Sequence, residues 1–209
     1  MKVLIVDDHD VIRQSLSLTI QTEFPSAICT KVEHATACIE LLKQDQFDLV
    51  TLDLNLPDMD GITLAEWILE RYPGQPILVF SMNPTSVFAR KLYEMGVMGY
   101  LNKQAAMSEL IKAFRTILTE KKPYMEEEFK LMLASDFLQK KPSNPLEKLS
   151  TRELSIAQLL ANGKTNDQIA AQLNIESSTI RTHKTRIFQK LDVTTLHDFL
   201  AKAKLYKLI

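Results

Sequence analysis

Five times within residues 1–118, a short apolar run is followed by a stretch whose apolar side chains recur at helical spacing, and no other feature restricts the fold so strongly. The runs are Lys2 to Val6, Ile28 to Val32, the segment from Phe47 that ends on Asp53, Pro76 to Phe80 and Met98 to Leu101. After them come Ile12, Leu16 and Ile20; Ile39 and Leu42; Ile62, Ala65, Ile68, Leu69 and Tyr72; Val87 to Met95; and Leu110, Phe114 and Ile117. Continuous apolar strands are covered on both faces, and parallel neighbours need crossover helices. The expected fold is therefore α/β, a doubly wound five-stranded parallel sheet.

Such a sheet places its chemistry at the carboxyl ends of its strands. Asp7 and Asp8 follow the first run, Asp53 ends the third, Ser81 ends the fourth and Lys103 follows the fifth. Singly, each has an ordinary reading: a capping acid, a turn residue or a solvated ammonium. Together they suit Mg²⁺-assisted transfer of a phosphoryl group to a carboxylate. Mg²⁺ takes hard oxygen ligands, which Asp7, Asp8, Asp53 and the backbone carbonyl near Asn55 would supply. Asp53 is then the nucleophile, while Lys103 and Ser81 meet the phosphoryl oxygens.

The remainder of the chain changes character. Lys140 to Pro145 is polar and proline-rich, which marks a boundary. Before it, residues 125–139 predict a connecting helix whose Phe129, Leu133 and Phe137 must pack on something. The expected division is residues 1–121, a connector over 122–145 and a second domain over 146–209. From Ser150 the pattern is all helical. Ser150 to Glu153 is a capping signal, Gly163 stops that helix, Thr165 to Gln168 caps a second, Asn174 makes a tight turn and Ser177 begins a third. Two short helices around a tight turn describe a helix-turn-helix.

The helix after Asn174 turns Ile180, Ile187 and Leu191 inward and carries Arg181, Lys184, Arg186 and Lys190 without an acid among them. Residues 143–209 hold ten basic and six acidic side chains, although the whole chain has a net charge of −1. A solvated basic face and a face for a DNA major groove both fit this pattern. On the second reading, Arg181, Thr182 and Thr185 stand near base edges, His183, Lys184, Arg186 and Lys190 serve phosphates, and Ser178 is a further DNA-binding residue. Cys29 and Cys38 form no framework of spacings, which fits a reducing compartment. No apolar run approaches a membrane span, and a cytoplasmic location is expected.

Residues 1–121 resemble a response-regulator receiver domain. The resemblance rests on Asp7-Asp8, on Asp53-Leu54-Asn55-Leu56-Pro57-Asp58-Met59-Asp60-Gly61, on Ser81 and on Lys103. It implies that Asp53 is the phosphoacceptor, that Ser81 and Tyr100 are the switch residues, and that Asn55 and Asn83 tune the phosphate's lifetime. Gln104 departs from the proline that many receivers have. Residues 146–209 resemble a LuxR-type DNA-binding domain through Leu149-Ser150, Arg152-Glu153, Gly163-Lys164-Thr165-Asn166, Ile169-Ala170, Thr179-Ile180-Arg181, His183 and Lys190-Leu191. Ser155 stands where that family usually has Glu, and Asp167 where Lys is common.

The whole chain thus resembles a response regulator of the NarL/FixJ type. That implies a phosphorylation-controlled, DNA-binding transcription regulator whose partners are a sensor histidine kinase, double-stranded DNA and a second copy of itself. It implies no enzyme activity beyond self-phosphorylation and slow loss of the aspartyl phosphate. The family's dimer-forming helix matches Leu196 to Leu205, with Leu196, Phe199, Leu200 and Ala203 as candidate contacts. Two rivals share some of these features: a Mg²⁺-dependent phosphatase that passes through an aspartyl phosphate, and a constitutive DNA-binding protein whose receiver serves only for docking.

Overall fold

A computed structural model describes residues 1–139 and 144–209, without the side chains of residues 136–139. The first part alternates β1 (Lys2–Val6), α1 (Asp10–Glu23), β2 (Ile28–Val32), α2 (Ala35–Gln44), β3 (Leu49–Leu52), α3 (Gly61–Arg71), β4 (Ile77–Ser81), α4 (Thr85–Met95), β5 (Gly99–Asn102) and α5 (Met107–Leu118). Every strand pairing is parallel, in the order β2-β1-β3-β4-β5. The doubly wound five-stranded sheet expected from the repeats is present.

Alternate side chains along each strand feed opposite layers. Val3, Ile5, Leu49, Leu78 and Phe80 pack with Leu16 and Ile20 of α1 and Leu110 and Phe114 of α5. Leu4, Val6, Val50, Leu52, Ile77 and Val79 face α2, α3 and α4 on the other side. Register then aligns the strand ends: Val6 lies opposite Leu52, Leu52 opposite Val79, and Ser81 opposite Asn102. The residues that follow, Asp7, Asp53 and Lys103, leave the sheet at one level.

A cap of α1 by the acidic cluster is not found. Its N-cap is His9, with no capping side chain. Asp7 and Asp8 stand instead at the sheet edge, Asp7 paired with Lys103 and Asp8 with His9.

The chain leaving α5 stays on the first domain. Tyr124 forms a parallel bridge with Gly99 at the β5 edge. The Tyr93 hydroxyl donates to the Tyr124 carbonyl at 2.6 Å and accepts from the Tyr100 N–H at 3.0 Å. Next comes α6 (Glu127–Gln139), whose Phe129 is buried and stacks on Tyr93 with ring centroids 5.7 Å apart. Phe129 therefore finds its partner on α4, and Leu133 is half-buried. The Phe137 side chain lies outside the described residues.

A 3₁₀ turn (Pro145–Lys148) leads into α7 (Thr151–Ala161), α8 (Asn166–Gln172), α9 (Ser177–Lys190) and α10 (Leu196–Leu205). Reciprocal capping boxes start α7, between Ser150 and Glu153, and α8, between Thr165 and Gln168. Asn174 takes the left-handed conformation at the turn between α8 and α9, with φ +50°. Ile180, Ile187 and Leu191 are buried against this bundle, and the apolar cluster continues without a break from Leu54 and Leu56 into α7.

Candidate functional site

Asp53 leaves β3 with its N–H bonded to the Val6 carbonyl at 2.9 Å, which draws it towards β1 and Asp7. A close backbone approach fixes it there. A Cβ on Gly61 would lie 2.3 Å from the Asp53 carbonyl oxygen and 2.5 Å from Leu54 Cα, so only glycine lets the start of α3 fold back under this loop. Asp60 precedes it as the N-cap of α3.

Lys103 reaches both carboxylates, with Nζ 2.7 Å from Asp7 Oδ2 and 2.7 Å from Asp53 Oδ2. Burial works against its charge, but Asp53 and Asp7 outweigh burial and raise its pKa. Asp7 Oδ1 accepts the His9 N–H at 2.9 Å. Asp53 is 2% exposed, and its Oδ1 is buried with no hydrogen-bond partner among the described residues. An orphan carboxylate oxygen is expensive unless something is meant to meet it. Ligand atoms of Asp7, Asp8, His9 and Asp53 lie within 4.8 Å of one another. The oxygen donors among them fit a hard divalent cation such as Mg²⁺. His9 was not foreseen in this cluster. It sits 2.5 Å from Asp8 Oδ1 and is itself exposed.

Ser81 ends β4, fully buried, and its Oγ lies 3.5 Å from the Asn83 N–H. Tyr100 points inward, and its hydroxyl donates to the Asn83 carbonyl at 2.8 Å. Burial pushes that phenol well above its usual value, so it stays a donor. The Asn55 amide donates to Asn83 Oδ1 at 3.2 Å. The five residues expected at the four strand exits thus lie together, Ser81 through its carbonyl, which accepts the Lys103 N–H at 3.0 Å, with Tyr100 and Asn55 beside them.

On α9, Ser178, Arg181, Thr182, Thr185 and Arg186 are exposed on one surface. The Thr182 and Thr185 hydroxyls donate back to the Ser178 and Arg181 carbonyls. Lys184 is half-buried, 5.5 Å over the Phe188 ring, and His183 is half-buried with a lone Nδ1. Burial lowers the His183 pKa, so the ring is neutral near pH 7. Lys190 does not stand ready for a phosphate. Its ammonium is held 2.6 Å from Glu153, the acid that also closes the α7 capping box.

Two of the expected dimer contacts are also corrected. Phe199 and Ala203 are buried in the domain's own core, Phe199 stacked on Phe188 at 5.5 Å. Leu196 is exposed and Leu200 half-buried.

The two sites share a boundary that the sequence did not announce. Helix α7 lies against the sheet edge beside α3. The Thr151 hydroxyl donates to Glu66 at 2.8 Å, and the Ser155 hydroxyl donates to Asp60 Oδ1 at 3.3 Å. Arg152 stands 3.6 Å from Asp60 Oδ2, and the Gln158 amide donates to Asn83 Oδ1 at 3.1 Å. The one available signal was Ser155 itself: the Glu usual in that family would set a carboxylate against Asp60.

Two family models match separate parts of the chain. Residues 3–115 match the response regulator receiver domain, and residues 147–203 match the bacterial regulatory proteins of the luxR family. BvgA of Bordetella pertussis, described as a putative positive transcription regulator of virulence factors, is 30% identical over 97% of this chain and 96% of its own length. The response regulator GacA of Pseudomonas aeruginosa is 26% identical over 93% and 91%. Among solved structures, RcsB of Salmonella enterica bound to the rprA promoter with the phosphomimetic BeF3⁻ superposes with a TM-score of 0.73 at 24% identity, covering 98% of both chains. An RcsB–DNA complex gives 0.60 at 26%, again over 98% of both. With a receiver and a LuxR-type domain in one chain, this protein belongs to the response-regulator transcription factors of the NarL/FixJ type.

Proposed function

We propose that Asp53 accepts a phosphoryl group from a sensor histidine kinase, and that this changes dimerisation and DNA binding of the second domain. The observation that carries the reading is the buried, unpartnered Oδ1 of Asp53 beside Asp7, Asp8 and the Lys103 ammonium. Oδ1 attacks phosphorus while the bond to the donor nitrogen breaks. The electron pair stays on that imidazole, which takes a proton from solvent. Lys103, held by Asp7 and Asp53, meets the charge on the transferred oxygens, and Ser81 donates its hydroxyl to one of them. Asp7, Asp8, Asp53 and the Asn55 carbonyl would hold Mg²⁺, which when bound neutralises phosphoryl charge. Beyond this self-phosphorylation and its slow reversal, the chain has no enzymatic role in our reading.

Incubation with acetyl phosphate and Mg²⁺ tests it. Intact mass should rise by one phosphoryl group in the wild type and not in Asp53→Ala. Sustained turnover of small phosphate esters would instead favour the phosphatase, and operator affinity indifferent to both phosphorylation and Asp53→Ala would favour constitutive binding.

Double-stranded DNA is the partner of the α9 face, supported by the exposed Arg181 and Arg186 and by the relative RcsB solved in complex with DNA. The phosphorylated protein acts as a homodimer, in the cytoplasm. Apolar side chains stand open on α1, where Val11 is 79% and Leu18 is 69% exposed, beside Met107 of α5. Light scattering that stays monomeric with the phosphomimetic beryllofluoride would defeat the dimer.

A further inference from the structure

We propose that Gln158, in the DNA-binding domain, is a positioning residue for the phosphoacceptor pocket. Through Asn83 it holds the loop between β4 and α4 against the shift that phosphorylation of Asp53 requires. The docked DNA-binding domain thereby sets the rate at which the receiver takes up phosphate. The inference rests on the reading of Asp53 as phosphoacceptor.

Asn83 is 6% exposed and pinned through both its side chain and its main chain. Its Oδ1 accepts from Asn55 at 3.2 Å and from Gln158 at 3.1 Å, which uses both lone pairs. Its carbonyl accepts from the Tyr100 hydroxyl at 2.8 Å and the Asn102 amide at 3.2 Å. By contrast, its N–H meets the Ser81 hydroxyl only at 3.5 Å, a long and weak contact. Four of these five partners belong to the receiver, and Gln158 alone belongs to the other domain.

Ser81 must turn its hydroxyl towards the phosphoryl oxygens, and Asn83 is two residues along the same loop. Movement of that loop stretches the bond to Gln158. Helix α7 cannot simply follow, because Ser155 and Arg152 hold it to Asp60. Asp60 in turn is bridged to Asn55 in the loop after β3. One helix of the DNA-binding domain therefore clasps both loops that carry the reacting residues, the one after Asp53 and the one after Ser81.

A single hydrogen bond of ordinary net strength corresponds to about fivefold in an equilibrium. The coupling is reciprocal, so a phosphoryl group on Asp53 weakens the docking of α7 by the same factor.

The full chain is phosphorylated with acetyl phosphate and Mg²⁺, and the rate is followed by intact mass. Gln158→Met keeps the length of the side chain and removes its donor. It should raise the maximal rate about fivefold while leaving the half-saturating acetyl phosphate concentration unchanged. In an Asn83→Ala background the same substitution should have no further effect, a result that a merely structural role for Gln158 would not give. Ser155→Glu, which sets a carboxylate against Asp60, should accelerate uptake independently. Wild-type rates in Gln158→Met, or an acceleration that persists without Asn83, overturn the proposal. A wild type that takes no phosphate on Asp53 overturns the phosphoacceptor reading with it, whereas normal uptake and an indifferent Gln158→Met remove this inference alone.

Discussion

At the carboxyl edge of the sheet, Asp7 and Asp53 are buried and share one ammonium. On α9, Arg181 and Arg186 stand in solvent. The pocket is assembled before any ligand arrives, since buried charges tolerate no absent partner. Arg181 and Arg186 have no ion-pair partner among the described residues, which leaves them available to another molecule. A charged side chain that must act inside the fold is fixed by strand register. One that must act outside it is fixed only in direction, by the side of the helix it occupies.

This contrast predicts a ranking of effects. The largest belongs to Gly61→Ala, where the new Cβ meets backbone at Asp53 and Leu54. We expect about 3 kcal/mol or more of lost stability, read as a urea midpoint, together with loss of phosphoryl uptake because Asp53 is displaced. Wild-type behaviour would show that the loop has room the backbone denies. Next comes Lys103→Met, which strands two buried carboxylates. About 3 kcal/mol of stability should be lost in the same assay, and acetyl phosphate should no longer label Asp53.

On the helix side, effects should appear in DNA binding and not in folding. Arg181→Ala should cost about 1–3 kcal/mol of discrimination between duplexes, with an unchanged melting temperature. Arg186→Ala should weaken all duplexes alike and reduce the slope of log affinity against log salt by about 1. Sequence-dependent loss at Arg186, or uniform loss at Arg181, would exchange their roles.

The smallest effect lies between the two regions, at Asp60. Burial raises its pKa despite Arg152. Because the folded value stands above the unfolded one, its contribution is fully present below the unfolded pKa and is lost as pH rises through the folded value. Asp60→Asn keeps an effective N-cap and should flatten the stability profile over that acidic range. A profile as steep as the wild type's would place the titration elsewhere.

The sheet and the pocket were legible because strand ends are set by pattern, and a residue at a strand end has one direction in which to go. Asp7, Asp53, Ser81 and Lys103 could be placed from spacing alone. The second domain was legible in its caps and turns but less so in its faces. Phe199 and Ala203 recur at helical spacing, yet spacing cannot tell whether the covered stripe meets a second copy or the domain's own Phe188. Lys190 carried the right charge, but its pairing with Glu153 depends on how α9 crosses α7. The contacts of Asn83 were out of reach for a similar reason, since its partners come from the loop after β3, from β4 and β5, and from another domain.

The hydrogen bonds and ion pair between α7 and the receiver are few, and by themselves would make a poor complex between separate molecules. Here both sides belong to one chain, and the connector is itself anchored on α4 by Phe129 and Tyr124. Joined partners meet at an effective concentration of roughly millimolar order, so docking needs only an affinity of that order to be half-populated. It is also independent of how much protein the cell makes. An interface poised in this way responds most steeply to small changes, and one hydrogen bond gained or lost moves the balance several-fold.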